Sequence, residues 1–400
     1  MSLRKKLLFV AILYFAEGFP FGIVWDTFPV YFRLHGLSLK AIGLMSLVSL
    51  PWSLKFLWAP AVDRFGKLRN WIAWPQFIMA SLLISAIGLH PIESKALIFS
   101  WVFLIALLSA TQDIAIDGYS IKLLDPKEMG IANGFRVSAY RVALIAAGGV
   151  MIAVGGWMGW PMAFFMAGVV LILFSIFSRS LPMIDKTPSK ERTEILEPLK
   201  DLVRRPGAIY VAIFILLYKL GDMAMGPMIR PFWVDRGLTT TEIGFITGTG
   251  GILASITGAL AGGAFTSRYG IFNGLWFLGI WQAMSNLGYA MVAIFPEAGH
   301  YGIYAASMIE SFCGGLGTSA FLAFLMSICR KDWAATQYAL LSAIFGLTRS
   351  FSGIASGWGV ESMGYGGYFA FTFFMAIPAF AFLFSVKRWI PLQEGKEKSS

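Results

Sequence analysis

Four hundred residues, 57% of them hydrophobic and only 14% charged, do not make an ordinary soluble domain, in which about a quarter of residues carry charge. The net charge of +10 comes from 32 Lys and Arg against 22 Asp and Glu. These residues lie between long apolar runs and do not form the basic face that a nucleic-acid binder needs, and two cysteines, Cys313 and Cys329, are too few for a disulfide scaffold or a Cys-rich metal site.

In chain order, runs of about 20 apolar residues, the length that crosses a hydrocarbon core, predict twelve helices. They fall near 7–28, 41–60, 71–90, 96–116, 130–155, 161–178, 207–230, 242–265, 271–295, 300–328, 334–358 and 365–387. The expected fold class is an all-α polytopic membrane protein. The first run follows Arg4, Lys5 and Lys6, lacks a small-residue cleavage site, and is expected to be a retained span and not a signal peptide. With the N-terminus inside, the cytoplasmic segments hold 22 basic residues, and the outer loops hold only Arg33, Lys40, Lys95 and Arg236. Loops rich in Lys and Arg stay in the cytoplasm, so both termini are expected there.

The longest polar stretch, LPMIDKTPSKERTEILEPLKDLVRRPG, splits the chain into a six-helix bundle at 1–180, a cytoplasmic linker at 181–206, and a second six-helix bundle with a short tail at 207–400. Residues Glu191 to Arg205 read either as a short surface helix or as a solvated connector. A linker at this point lets two bundles rock against each other, the motion of an alternating-access transporter.

The loop after the second span reads APAVDRFGKLR; the loop after the eighth reads GGAFTSRYGIF, 204 residues later when Arg64 is aligned with Arg268. One half-chain spacing suggests duplication. Ala59 and Gly263 permit close helix approach, Asp63 can pair with a base or a helix N-terminus, and Arg64 and Arg268 can anchor the cytoplasmic edge. These loops resemble the major facilitator superfamily signature Gly-xxx-Asp-Arg/Lys-x-Gly-Arg/Lys. Asp63, Arg64, Gly66 and Lys67 fit the first copy, with Ala59 at its leading glycine; Gly263, Arg268 and Gly270 fit the second, with Ser267 in place of the acid. The resemblance implies two six-helix bundles and a conformational role for both loops.

Charges inside hydrocarbon are costly unless they are paired or face water, so ionisable residues within the spans are functional candidates. They are Glu17, Asp26, Lys55, Asp113, Asp117, Arg136, Arg141, Lys219, Asp222, Arg230, Glu310 and Arg349. Glu17 lies within YFAEGFPFG, where Gly18, Pro20 and Gly22 weaken the helix; it reads as a proton carrier or as half of a structural ion pair. Asp113 and Asp117, four apart, share a helix face, as do Arg136 and Tyr140 on the next helix. With Arg141 nearby, these groups form either a gate that loosens on protonation or a static network. Lys219 and Asp222, three apart, can pair within their helix or present Lys219 to an anionic solute. Glu310 and Arg349 are further candidates for solute contact. His35, His90 and His300 have no ligand spacing, no phosphate-cradling glycine motif occurs, and no catalytic triad assembles, so neither an enzyme nor a metal or other cofactor is expected.

The blocks FAEGFPFG, GLSLKAIGLMSLVSLPWSLKFLWAPAVDRFG, LLSATQDIAIDGYSIKLL and GTSAFLAFLMSICRKDWAATQYALLSAI together resemble the AmpG-type muropeptide permease group, which imports cell-wall fragments across the bacterial inner membrane. That resemblance points to Glu17, Lys55, Gln112, Asp113, Asp117 and the Gln337/Tyr338 region. It implies proton symport of a bulky, polar, partly anionic solute by a monomer in contact with membrane lipids. Glu17 or Asp113 would be protonated, Lys55 or Lys219 would attract carboxylates, and Gln112, Tyr140 and Gln337 would hydrogen-bond sugar or peptide. Related branches make a siderophore permease or an acetyl-CoA transporter the alternatives within transport. A lipid scramblase or a non-transporting membrane receptor is the alternative outside it.

Overall fold

The computed structural model describes residues 1–86, 95–124, 128–183, 196–329 and 334–390; side chains at 60, 63, 64, 95, 96, 129–131, 133, 134, 196–199, 334–336 and 339 lie outside the described set. All regular structure among the described residues is helical. Nine helices among them are long and apolar enough to cross a membrane. The chain contacts group into two compact units, Met1–Pro188 with Arg230–Thr249, and Ser189–Ile229 with Gly250–Ser400.

The first unit contains α1 (Leu3–Leu34), α2 (39–64), α3 (Leu68–Ser85), α4 (Lys95–Leu123), α5 (129–158) and α6 (Trp160–Ser180). Pro20 stands inside α1, and a π turn at Ile23–Thr27 follows it. Proline has no N–H, so the Ala16 carbonyl four residues back loses its helical donor; Gln112 on α4 replaces it, its Nε2 donating to Ala16 O at 2.8 Å. The second helix is not continuous. It alternates α segments with 3₁₀ turns at Met45–Ser49 and Lys55–Leu57, and the second turn carries Lys55. The helix α4 runs seven residues beyond the predicted end, to Leu123, which keeps Asp113, Asp117 and Ser120 on one continuous face. Val10, Leu13, Tyr14, Val62, Ile72, Ile116 and Tyr119 form the buried core among α1 to α4.

In the second unit, Leu196–Arg204 is a short helix, the surface-helix alternative read for the linker. It precedes α7 (Ala208–Asp235), α8 (Thr240–Tyr269), α9 (Ile271–Ile294), α10 (Gly299–Ser327), α11 (Ala334–Ile354) and α12 (Ser356–Val386); Arg230–Thr249, the end of α7 and the start of α8, belong to the first unit. The predicted break between the last two spans appears as a kink at Gly364, where φ is 69° and the helix hydrogen bonding cannot continue unbroken. Phe214, Tyr218, Phe321, Phe324 and Leu383 make the core, with Tyr218 stacked on Phe321 at 5.3 Å. Helix α8 packs closely on α10: a Cβ at Gly262 would sit 2.6 Å from Leu316 O, and one at Gly258 would collide with the Phe312 carbonyl. A Cβ at Gly263 would meet nothing. The close-approach glycine is therefore Gly262, and the sequence motif placed it one residue too late.

Duplication is visible in geometry as well. After α1 and after α7 the chain makes the same αL stop: Leu37 N donates to Phe32 O and Gly36 N to Arg33 O, while Leu238 N donates to Trp233 O and Gly237 N to Val234 O. Gly36 and Gly237 have φ of 80° and 77°. Ser38 and Thr239 then cap α2 and α8, Thr239 through a capping box with Glu242.

Candidate functional site

In the first unit, α1, α2, α4 and α5 bring three carboxylates and two cations together. Lys55 Nζ stands 3.9 Å from Asp113 Oδ2 and 4.0 Å from Asp117 Oδ2; Arg136 Nη2 stands 3.2 Å from Asp117 Oδ1. Tyr14 OH donates to the same Asp117 oxygen at 2.6 Å, and Arg136 lies over the Tyr14 ring at 4.4 Å. Glu17, one turn beyond Tyr14 on α1, is within electrostatic reach of Asp113, Asp117, Lys55 and Arg136. Glu17 and Asp113 are buried, and among the described residues Glu17 Oε2 and Asp113 Oδ1 have no hydrogen-bond partner. A buried carboxylate oxygen without a donor is costly. Here the cost falls on two neighbouring helices, α1 and α4. Beyond the carboxylates, Phe21 packs edge-on against Trp52 at 5.1 Å and lies 6.1 Å from Tyr140 and 6.0 Å from Trp25, an aromatic wall beside the charges.

At the end of α1 nearer the loop to α2, Asp26 pairs with Arg230, and Arg33 pairs with Asp235 through Nε at 2.6 Å and Nη2 at 2.5 Å. Glycines permit this approach: a Cβ at Gly148 would sit 2.9 Å from Asp26 Oδ2, and one at Gly149 would sit 2.9 Å from Gly244 O. Three π turns, Ile23–Thr27, Ile145–Val150 and Ile246–Gly250, meet there, with Thr27 Oγ1 donating to Ala147 O at 2.5 Å. Asp26 is buried in this seam.

The second unit holds its own polar centre. The helix α7 breaks at Lys219 (φ −105°, ψ 6°), and the buried ammonium donates to Gln282 Oε1 at 2.6 Å, Thr318 Oγ1 at 2.9 Å and Asp222 Oδ2 at 3.4 Å. Glu310 is within electrostatic reach of Lys219. Asn286 Nδ2 donates to Thr372 Oγ1 at 3.1 Å, and among the described residues Gln282 Nε2 and Asn286 Oδ1 have no partner. Gly317 has to be small, because a Cβ there would collide with Gln282 Oε1.

The expected site residues thus fall into separate groups. Glu17, Lys55, Asp113, Asp117 and Arg136 converge; Lys219, Asp222 and Glu310 converge. Arg141 is half-buried on α5, and Arg349 half-buried on α11. Gln112, expected to touch solute, is fully buried and holds the α1 carbonyl opened by Pro20. Gln337, also expected to touch solute, is fully buried in a network with the linker helix: its Nε2 donates to Asp201 Oδ2 at 3.0 Å, and Arg205 donates to Gln337 Oε1, Asp201 and Ile328 O. In the loop motifs, the side chains of Asp63 and Arg64 lie outside the described residues. Gly66 and Gly270 take positive φ in their turns, Lys67 caps α3, and Arg268 is exposed over the Tyr269 ring. Tyr14, Gln282, Thr318, Asn286 and Thr372 were missed, being uncharged. Their one signal in sequence is a lone polar side chain in an apolar span, where it must find a partner.

Two buried polar clusters inside an all-helical membrane chain suit a multi-pass transporter, and solved transporter structures share the fold. A bacterial homologue of the human lysosomal transporter Spinster, in its inward-facing unoccupied conformation, superposes with a TM-score of 0.78 at 16% identity, covering 97% of each chain. A D-xylose–proton symporter superposes with a TM-score of 0.72 at 14% identity, covering 99% of this chain and 100% of its own. The Major Facilitator Superfamily signature matches residues 10–352, and the chain belongs to that family of secondary active transporters. Among its relatives, the anhydromuropeptide permease of Escherichia coli (strain K12) is 34% identical over 383 residues, which are 93% of this chain and 78% of that protein. A putative transporter, AmpG 4, of Rickettsia conorii is 28% identical over 94% of each chain.

Proposed function

We propose that this protein imports an anhydromuropeptide, or a solute of the same bulky, polar and partly anionic kind, across a bacterial inner membrane in symport with protons. The carrying observation is the charge balance of the first unit's cluster: three carboxylates, Glu17, Asp113 and Asp117, face two cations, Lys55 and Arg136. With all five ionised the cluster holds one uncompensated negative charge in a poorly hydrated place, and one bound proton cancels it. Likeness to the Escherichia coli anhydromuropeptide permease supports the solute class. The aromatic wall of Phe21, Trp52 and Tyr140 offers apolar faces for a sugar ring. Twelve spans in two six-helix halves, 1–180 and 207–400 with the linker 181–206 between them and both termini in the cytoplasm, complete the proposal.

The test is uptake of labelled anhydromuropeptide into proteoliposomes under an imposed pH gradient and potential. Concentrative uptake should vanish when both gradients are collapsed with the solute gradient kept, and Glu17→Gln and Asp113→Asn should each abolish accumulation while leaving the protein folded. Accumulation unchanged by the collapse overturns proton coupling, and normal accumulation in both variants overturns the assignment of the proton to Glu17 and Asp113. A parallel panel of siderophore, acetyl-CoA and small sugars overturns the solute class if one of them is accumulated in place of the muropeptide.

A further inference from the structure

Below the carboxylate cluster the first unit carries a half-open cavity of about 240 Å³ that the transport reading leaves without a role. Its walls include Val10 and Tyr14 of α1, Ser120 of α4, and Ala132 and Arg136 of α5. Two helix faces lead into it. On α1, Glu17, Tyr14 and Val10 succeed one another at helical spacing; on α4, which runs the opposite way, Asp113, Asp117 and Ser120 do the same. Glu17 and Asp113 therefore stand on the upper rung, Tyr14 and Asp117 are joined by their 2.6 Å hydrogen bond on the middle one, and Val10 and Ser120 border the cavity on the lowest. Lys55 from α2 and Arg136 from α5 are the cations facing this ladder. One turn further toward the N-terminus, Lys6 pairs with Glu128 at 2.7 Å.

The cavity is suited to water. At about 30 Å³ per molecule it holds several. It is also polar on the side of the ladder: Ser120 Oγ is buried with no hydrogen-bond partner among the described residues, and the Arg136 side chain, 44% exposed, reaches solvent. We infer that this cavity is the cytoplasmic exit of the coupled proton, with Asp117 as the last carboxyl of the ladder and Tyr14, which donates to Asp117 and lines the cavity, as the link between them. The inference rests on the proton-coupled reading above. A proton held on Glu17 or Asp113 passes to Asp117; the Asp117 O–H bond then breaks toward the Tyr14 oxygen as the Tyr14 O–H bond breaks toward a cavity water, leaving carboxylate, phenol and hydronium, and Ser120 Oγ accepts a hydrogen bond from that water. Tyr14, donating to one Asp117 oxygen, leaves the other to face Lys55 and the ladder. The solute need not use this route, because the cavity lies within one helix bundle and is small.

The experiment separates proton release from solute movement. In proteoliposomes holding labelled anhydromuropeptide on both sides, exchange needs no net proton release, whereas uptake driven by a pH gradient does. Filling the cavity with Ala132→Leu should slow driven uptake by about tenfold or more while exchange stays within about twofold. Tyr14→Phe should slow driven uptake with the same spared exchange and shift its pH profile. Driven uptake and exchange falling together, or both unchanged, overturns the exit route. A wild-type protein that exchanges solute yet shows no driven uptake overturns proton coupling itself, and the exit with it. A second measurement needs no solute: Ser120→Cys, in a chain with Cys313→Ala and Cys329→Ala, should react with a membrane-impermeant thiol reagent from the cytoplasmic side alone. No labelling from either side, or labelling from outside only, overturns the exit while leaving the coupling test standing.

Discussion

Lys219 sets the sharpest test of whether the second unit's centre holds structure or receives solute. Its ammonium is 2% exposed and makes three hydrogen bonds, one to a carboxylate at 3.4 Å. At that distance and an effective dielectric of about 20, the Coulomb attraction is about 5 kcal/mol. Desolvation of the ammonium offsets most of it, and so the pair's net worth is small even though breaking it is expensive. Lys219→Met strands the Asp222 carboxylate, 16% exposed, and leaves Gln282 Oε1 without its donor, which should destabilise the unit by about 3–5 kcal/mol. Removing the carboxylate as well, with Lys219→Met/Asp222→Asn, should recover most of that loss, because replacing both charges is close to neutral.

The assay is denaturant unfolding of the full chain in detergent micelles, arranged as a double-mutant cycle with Asp222→Asn alone. A coupling energy of about 2 kcal/mol or more is expected for two groups in contact that share a network. If the stable double variant then transports with a raised KM, Lys219 also serves the solute; if it transports normally, the pair is structural. Lys219→Met as stable as wild type, or a cycle that closes to zero, refutes the reasoning from the geometry.

Exchanging charges at the seam of the first unit, Asp26→Arg with Arg230→Asp, should restore transport that either reversal alone abolishes, since each single change sets like charges together in a buried place; uptake measurements in the three variants decide this. Neighbouring glycines of α8 should differ sharply: Gly262→Ala forces a Cβ to 2.6 Å from Leu316 O and should cost about 1–3 kcal/mol, whereas Gly263→Ala should be neutral or slightly stabilising, as read by thermal unfolding. Gln112→Ala should cost about 1–3 kcal/mol in the wild-type chain by orphaning Ala16 O, and much less in a Pro20→Ala background, where the restored N–H satisfies that carbonyl.

What the sequence made legible follows from the physics of the bilayer. Spans announce themselves because every backbone polar group must be satisfied inside a helix, which demands long apolar runs; the helices of α4 to α10 lie within a turn or two of their predicted bounds. Charged candidates were legible for a related reason, since a charge in a span must be paired, and Glu17, Lys55, Asp113, Asp117 and Arg136 duly lie together. The irregularities were not. Nothing in composition distinguishes a π turn at Ile145–Val150 from ordinary helix, or places the 3₁₀ turn that positions Lys55, because these depend on which neighbouring helix supplies the missing hydrogen bond.

Gln112 shows what a motif alone leaves out. Within TQDIAIDGY, the family resemblance makes Gln112, next to Asp113, an expected solute ligand. Its actual partner is fixed 96 residues away by the absence of one N–H at Pro20, a relation that no local window contains. The same pairing explains the ladder: by pinning α4 to α1 at Ala16, Gln112 sets the register in which Asp113 meets Glu17 and Asp117 meets Tyr14. A half-turn slip of either helix would part the carboxylates and close the path to the cavity. The proline is then less a helix breaker than the means by which two helices are locked at the height where the charges have to meet.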